Sequence, residues 1–386
     1  MLYYCPMFRV PLILFLLQAT ILASAQNIDS LLSLTQGGDT SAVRAYNELF
    51  KHFYEKDPRQ ALEYTLQALE LAQQLAYAKG EASAYNNIGL FYKSQGLLDK
   101  AASYYLKSLN LNRQINNPLG IAYTLSNIGT VYSIKQDYNN ALRYFMDAYH
   151  LLDSIGNEKA MIGLLNNLGN TYLAKGEDYR AVGFYKRAMR LHNKYPDSRF
   201  DPYANIGQAY LLHGEPQRAK NYYEKSLFYN QQNHNTNGVA YAYHNLAAVA
   251  LLQNDLTQAL QYEQQALAKA EEVLNKTLLR DIHRSLADIY EKQGKISLAY
   301  EHLKLYVSFR DLLDEEANLM ELAQRESTQL LMEKDKQLAI MAKEHELSRL
   351  KSDSTSIVVI ISVMGAMIVL AVVIIYIILK RQRSQA

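Results

Sequence analysis

The sequence predicts an all-α protein: a superhelical solenoid of about seven stacked helical hairpins, then a long charged helix and one transmembrane helix. Three observations carry this. An eleven-residue phrase returns at a spacing of 40, as NNIGLFYKSQG at 86–96, SNIGTVYSIKQ at 126–136 and NNLGNTYLAKG at 166–176. Apolar residues around the phrases recur at helical rather than alternating spacing, and there are seven prolines in 386 residues. Finally, Ile357–Leu379 is a run of 23 residues without a charge.

Taken in chain order, Met1–Ala25 has the layout of a cleaved secretory signal. Arg9 precedes the apolar run Val10–Leu17, and ATILASA places small residues where a peptidase must fit. An uncleaved anchor is the other reading, although Gln18 interrupts a run too short to span. Residues 26–39 lead into the repeats. Cys5 is the one cysteine and lies in the signal, so the mature chain is expected to hold no disulfide, thiol nucleophile or cysteine–metal site.

The repeats occupy 40–309. Their anchor is the glycine of N-[IL]-G at Gly89, Gly129, Gly169 and Gly207, which becomes Ala247 and Ala287 later and Leu49 earlier. Steps are 40 residues except for one of 38, between Gly169 and Gly207. Tyrosine stands three residues on at Tyr92, Tyr132, Tyr172, Tyr210 and Tyr290. Alanine stands twelve on in every unit, including Ala101, Ala141, Ala181 and Ala219, and an aromatic usually sixteen on, at Tyr105, Phe145, Tyr185 and Tyr223. A small anchor lets the second helix approach the first, with the alanine expected as its partner and the tyrosines between hairpins. Gly96, Gly176, Gly214 and Gly294 are expected to end first helices in a left-handed conformation. Stretches 192–202 and 231–238 read as solvated loops.

Beyond the repeats, 310–356 is a charged helical stalk, within a stretch from Lys295 to Met364 that has neither glycine nor proline. Its heptad-like apolar positions include Leu312, Leu319 and Leu330, yet Glu326, Glu333 and Gln337 share the seam. A homodimeric coiled coil and a single solvated helix both remain open. The run 357–379 would make a helix of roughly 35 Å, against about 30 Å of bilayer core. Lys380, Arg381 and Arg383 in the tail 380–386 then predict an inner-membrane protein with its repeats in the periplasm and a short cytoplasmic tail.

The repeat pattern, [ILV]-Gly-x-x-Tyr followed by Ala and Tyr/Phe, resembles the tetratricopeptide repeat (TPR) over roughly residues 40–310. The resemblance is to the long-period type, with Tyr85, Leu125, Leu165, Tyr203 and Tyr243 in place of the usual tryptophan. It implies a concave face, lined by the first helices, that holds a protein or peptide ligand. Two residues before the first six anchors stands asparagine, at Asn47, Asn87, Asn127, Asn167, Asn205 and Asn245, and before the last stands Ser285. An amide both donates and accepts, so such a ladder could pair with a peptide backbone; support of the neighbouring helix is the other reading. Other expected inner residues are Tyr123, Asn166, Asn170, Tyr241, His244, Arg284 and Asp288. With Arg284 the single cation just before the ladder, a clamp for a terminal carboxylate is not expected.

No catalytic, metal or cofactor motif is found, and HELSR at 345–349 lacks the second histidine of the zinc-protease pattern. Without the signal and tail, 36 basic residues face 38 acidic ones, which gives no footprint for nucleic acid. The order of parts also resembles bacterial membrane sensors in which an exported TPR region joins a histidine kinase or helix-turn-helix regulator, but only KRQRSQA follows the apolar run. The expected function is therefore a non-enzymatic scaffold or sensory subunit, with any output in a separate signalling partner. A shortened receptor half lacking its output domain is the alternative.

Overall fold

The computed structural model describes residues 28–54, 56–195 and 201–319, with isolated positions beyond. Its contacts divide the chain into two units, 1–318 and 319–386, and the repeats lie in the first. The expected signal, nearly all of the stalk past 319 and the apolar run except Met364 fall outside the described residues.

A short helix, α1 (28–35), precedes seven hairpins. These pair α2 (Thr40–Phe53) with α3 (Pro58–Gln74), α4 (Ala78–Ser94) with α5 (Leu98–Gln114), and α6 (Pro118–Ile134) with α7 (Tyr138–Ser154). They continue with α8 (Glu158–Ala174) and α9 (Asp178–Lys194), α10 (Ala204–Leu212) and α11 (Pro216–Gln232), and α12 (Thr236–Leu252) and α13 (Leu256–Glu272). The last pairs α14 (Lys276–Lys292) with α15, which runs from 296 to the end of the unit. Most helices have 17 residues, about 25 Å of helix. Three-residue links join them, so a hairpin recurs every 40 residues.

Many helix ends are written locally. Asp57, Asn117, Asp137, Asn157, Asp255 and Asn275 each accept a hydrogen bond from the backbone N–H three residues on, the bond that caps an otherwise unpaired turn. Pro58, Pro118 and Pro216 stand in first turns, where an N–H is not needed. First helices stop at left-handed residues, as expected at Gly96, Gly176, Gly214 and Gly294. Gln136 (φ 61°) and Asn254 (φ 57°) hold the same position without being glycine.

Packing inside a hairpin differs from the expectation in two ways. The anchor glycine meets a ring, not the alanine: a Cβ built on it would lie 2.6 Å from Tyr105 at Gly89, 2.7 Å from Phe145 at Gly129, 2.4 Å from Tyr185 at Gly169 and 2.6 Å from Tyr223 at Gly207. The anchor is small because a buried aromatic ring presses on its helix; the alanines of the first six hairpins, also wholly buried, belong to the same core. The tyrosine three residues on stacks within its own hairpin rather than between hairpins. Tyr92–Tyr104, Tyr132–Tyr144, Tyr172–Phe184 and Tyr210–Tyr222 have centroids 5.4, 5.4, 5.2 and 5.6 Å apart and nearly parallel planes.

Two expected loops are also shorter than read. Residues 231–238 shrink to a link at 233–235, and His192 lies inside α9, buried at 2% exposure. The 38-residue step falls on α10, which has nine residues where most of its counterparts have 17. Asp201 takes over the missing turns: one carboxylate oxygen accepts from the N–H groups of Tyr203 and Ala204, the other from Ser226 and Asn230 on α11.

The transmembrane helix is corrected. Among the described residues no helix is long and apolar enough to cross a membrane. Helices of about 25 Å fall short of a core of about 30 Å, and each carries polar residues along one face. The expected span at 357–379 lies outside the described residues apart from Met364, and the single-pass inner-membrane placement that rested on it is not supported.

Candidate functional site

Second helices cover one side of each first helix, and neighbouring first helices touch one another: α2 with α4, α4 with α6, α6 with α8, and α12 with α14. What stays uncovered is a stripe along the opposite side of each. On α4 it includes Lys79, Ser83 and Asn86, on α6 Tyr123 and Ser126, on α8 Asn170, on α12 Tyr241 and His244, and on α14 Asp281, Arg284 and Asp288. This is the face expected to hold a ligand.

The asparagine ladder lies at the edge of that stripe and links helix to helix. Asn47 and Asn87 are buried; the amide of Asn87 donates to Oδ1 of Asn47 at 2.8 Å, and that of Asn47 donates to the Val43 carbonyl. Asn127 donates to Asn86 at 2.8 Å, one position off the ladder. Asn167, Asn205 and Asn245 are half-buried. Asn166, expected on the face, is instead buried, with its amide on the Ile162 carbonyl and its Oδ1 unpartnered.

The first three hairpins enclose a hollow of ≈ 460 Å³. Its floor is amide and hydroxyl: Asn47, Asn86, Asn87 and Asn112, with Ser108 and Thr124. Tyr123, half exposed, stands on its wall, and Arg44, Lys51 and Lys79 reach it from α2 and α4. Lys51 pairs with Glu48 at 2.6 Å. Many floor groups hold one another, Asn112 accepting from Asn117 and Ser108 donating to the Ala82 carbonyl. The hollow is therefore a preformed polar surface with cations on its wall. It suits a chain that offers carbonyls and acidic groups.

Toward the last hairpins the chemistry changes. His244 directs Nδ1 at the carboxylate of Glu263, and burial, which alone would push the imidazole down, is outweighed by the hydrogen bond and charge of Glu263, so its pKa stands above the ordinary value. In the fourth hairpin, Asn170 accepts from the Tyr185 hydroxyl at 2.6 Å. Arg284 spans to Asp288 at 3.4 Å and lies over the Tyr306 ring. Tyr241 is 40% exposed.

Comparison with known proteins bears on these hairpins directly. Family models described as tetratricopeptide repeat match residues 80–154 and 161–227, and again 239–283. The repeats are tetratricopeptide repeats. Solved TPR-type structures with a similar fold include RapI in its apo form, 14% identical, TM-score 0.55, covering 71% of this chain and 99% of that one. Aspartyl phosphate phosphatase F from Bacillus subtilis is 16% identical, TM-score 0.53, over 73% of this chain and 74% of its own. A STAND-type signal transduction ATPase with a tetratricopeptide repeat sensor from Pyrococcus horikoshii is 19% identical, TM-score 0.54, over 72% and 46%. These likenesses show the fold. No curated protein matches the sequence.

Reading the TPR register alone misses two features of the site. Arg44, Lys51 and Lys79 stand at three different register positions, so only packing gathers them. Glu263 lies on a second helix, at the position where hairpins two to five carry an aromatic ring; aligning that column would have singled it out.

Proposed function

We propose that this chain is a non-enzymatic scaffold that captures a segment of another protein, or a peptide, along its first-helix face, and that in signalling it serves as the ligand-binding subunit. One observation carries the reading: the first helices leave an uncovered stripe whose amides, hydroxyls and tyrosines offer a backbone many partners, with a preformed polar hollow at its start. The ladder residues Asn127, Asn167, Asn205 and Asn245 contribute contacts beside that stripe, while Asn47 and Asn87 hold its first two helices in register. The TPR fold supports this reading, since stacked hairpins give an extended surface rather than an enclosed reaction site.

The test is a selection of random peptides on the full chain, followed by affinities measured for single variants on each face. Tyr123→Ala and Ser83→Arg should weaken the selected peptides tenfold or more, whereas Phe228→Ala, an exposed change on the second helix α11, should leave them within twofold. Peptides that respond to Phe228 and ignore Tyr123 and Ser83 would place capture elsewhere and sink the proposal.

A further inference from the structure

Sixteen residues after the anchor, hairpins two to five bury a ring and the seventh carries Leu303, but the sixth carries Glu263. This carboxylate is wholly buried at 0% exposure, and both its oxygens accept from Nδ1 of His244, at 3.0 and 3.2 Å. Filling the slot does not require a charge, because an apolar chain would do so without the several kcal/mol that burying an ion costs (roughly that order before pairing). The arrangement has a consequence on the other side of the ring. His244 stands on the uncovered stripe of α12, at the register of Asn86 in the polar hollow, and its side chain is 24% exposed. With Nδ1 committed to Glu263, Nε2 is the one ring nitrogen left to meet a ligand.

We propose that His244 is a proton-carrying contact of the ligand-binding face: held as an imidazolium by Glu263 beneath it, it donates Nε2–H to a carboxylate of the captured segment, so that capture tightens as pH falls. The inference rests on the ligand-binding reading above. The acids around the ring favour its protonated form. From α13 comes Glu263 and from α14 Asp281, both acids; Glu224 of α11 acts on Tyr262 instead. On α14, Arg284 is engaged with Asp288. Burial pushes the imidazole down, and the Glu263 bond and charge, with Asp281 behind them, carry it above the ordinary value. Protonation is then more favourable than for an unperturbed histidine.

The experiment labels the histidines of the full chain with ¹³C at Cε1 and ¹⁵N in the ring, and assigns His244 through His244→Gln. Two probes are titrated at pH 6.0 and pH 8.5: N-acetylglycine, a terminal carboxylate, and N-acetylglutamate N-methylamide with its α-carboxyl amidated, a side-chain carboxylate. N-methylacetamide is the neutral control. The expected result is a His244 midpoint above the ordinary histidine value that falls in Glu263→Gln, and a saturable shift at pH 6.0 with at least one carboxylate. That shift should vanish at pH 8.5 and be absent with the control. Should Glu263→Gln fail to fold, the ring nitrogens of the unaltered protein report the protonation state directly. A His244 neutral at pH 6.0, or an imidazolium that neither carboxylate moves, overturns the proposal. If selected peptides still bind in that case, this inference falls alone; a responsive His244 in a chain that captures no peptide sinks the broader reading alone.

Discussion

Gly169→Ala and Gly163→Ala add the same methyl group to the same helix, α8, and should change stability in opposite directions. At Gly169 the new Cβ would stand 2.4, 2.6 and 2.8 Å from three carbons of the Tyr185 ring. Carbon atoms rest about 3.5–4.0 Å apart, so ring and helix must separate by about 1 Å. Tyr185 has no room to yield: it is 1% exposed, and its hydroxyl donates to Asn170 at 2.6 Å. Overpacking of this kind costs about 1–3 kcal/mol and loss of the hydroxyl bond about 1, while replacing a helical glycine returns about 1. The net expectation is a loss of about 2 kcal/mol. At Gly163 nothing lies within 4 Å, so only the backbone gain of about 0.5–1 kcal/mol remains. Urea unfolding followed by circular dichroism measures both, and hydrogen exchange in α8 and α9 localises the change, since a stack of repeats can open piecemeal. Gly169→Ala/Tyr185→Leu should recover part of the loss. A Gly169→Ala protein as stable as the unaltered chain would refute the ring-on-glycine packing.

The tyrosines of that same column separate hydrogen bonding from bulk. Tyr185→Phe should cost about 1 kcal/mol, because Asn170 loses its donor, while Tyr105→Phe should be neutral or slightly stabilising, since the Tyr105 hydroxyl is buried without a partner; thermal unfolding of the two variants distinguishes them. In the last hairpin, burial and then the facing His302 push His283 down to about 4 from 6.5. The unfolded chain takes up that proton first, so this contribution is complete above pH 6.5 and is lost as pH falls toward 4, by about 3 kcal/mol at most. Urea midpoints at pH 7 and pH 5 should show the slope, and His283→Phe should flatten it. His244 slopes the other way: its raised value stabilises below pH 6.5, and the contribution is lost as pH rises through the folded midpoint.

Much of the architecture was readable before any packing was known, because its determinants are local. An Asx cap at one end of a helix and a left-handed residue at the other act over three or four positions, and their return every 20 residues spells out helix lengths and links. The anchor glycines and their 40-residue spacing carried the hairpin count. The tyrosines at 92, 132, 172 and 210 were visible too, yet their partners were misassigned, since a repeat spacing says which residues are equivalent and not which of them touch. The short α10 was announced by the 38-residue step, but Asp201's role in bonding Ser226 and Asn230 was not.

What the sequence by itself determined is therefore the repeat and its helical period, both set by interactions within one turn of helix or by strict periodicity. Only the tertiary structure decided that Asn47 and Asn87 spend themselves on each other, that Arg44, Lys51 and Lys79 share one hollow, and that Glu263 lies under His244. Those are distances between helices, joining residues as many as 40 positions apart, and they depend on how far each helix turns as it packs on the last.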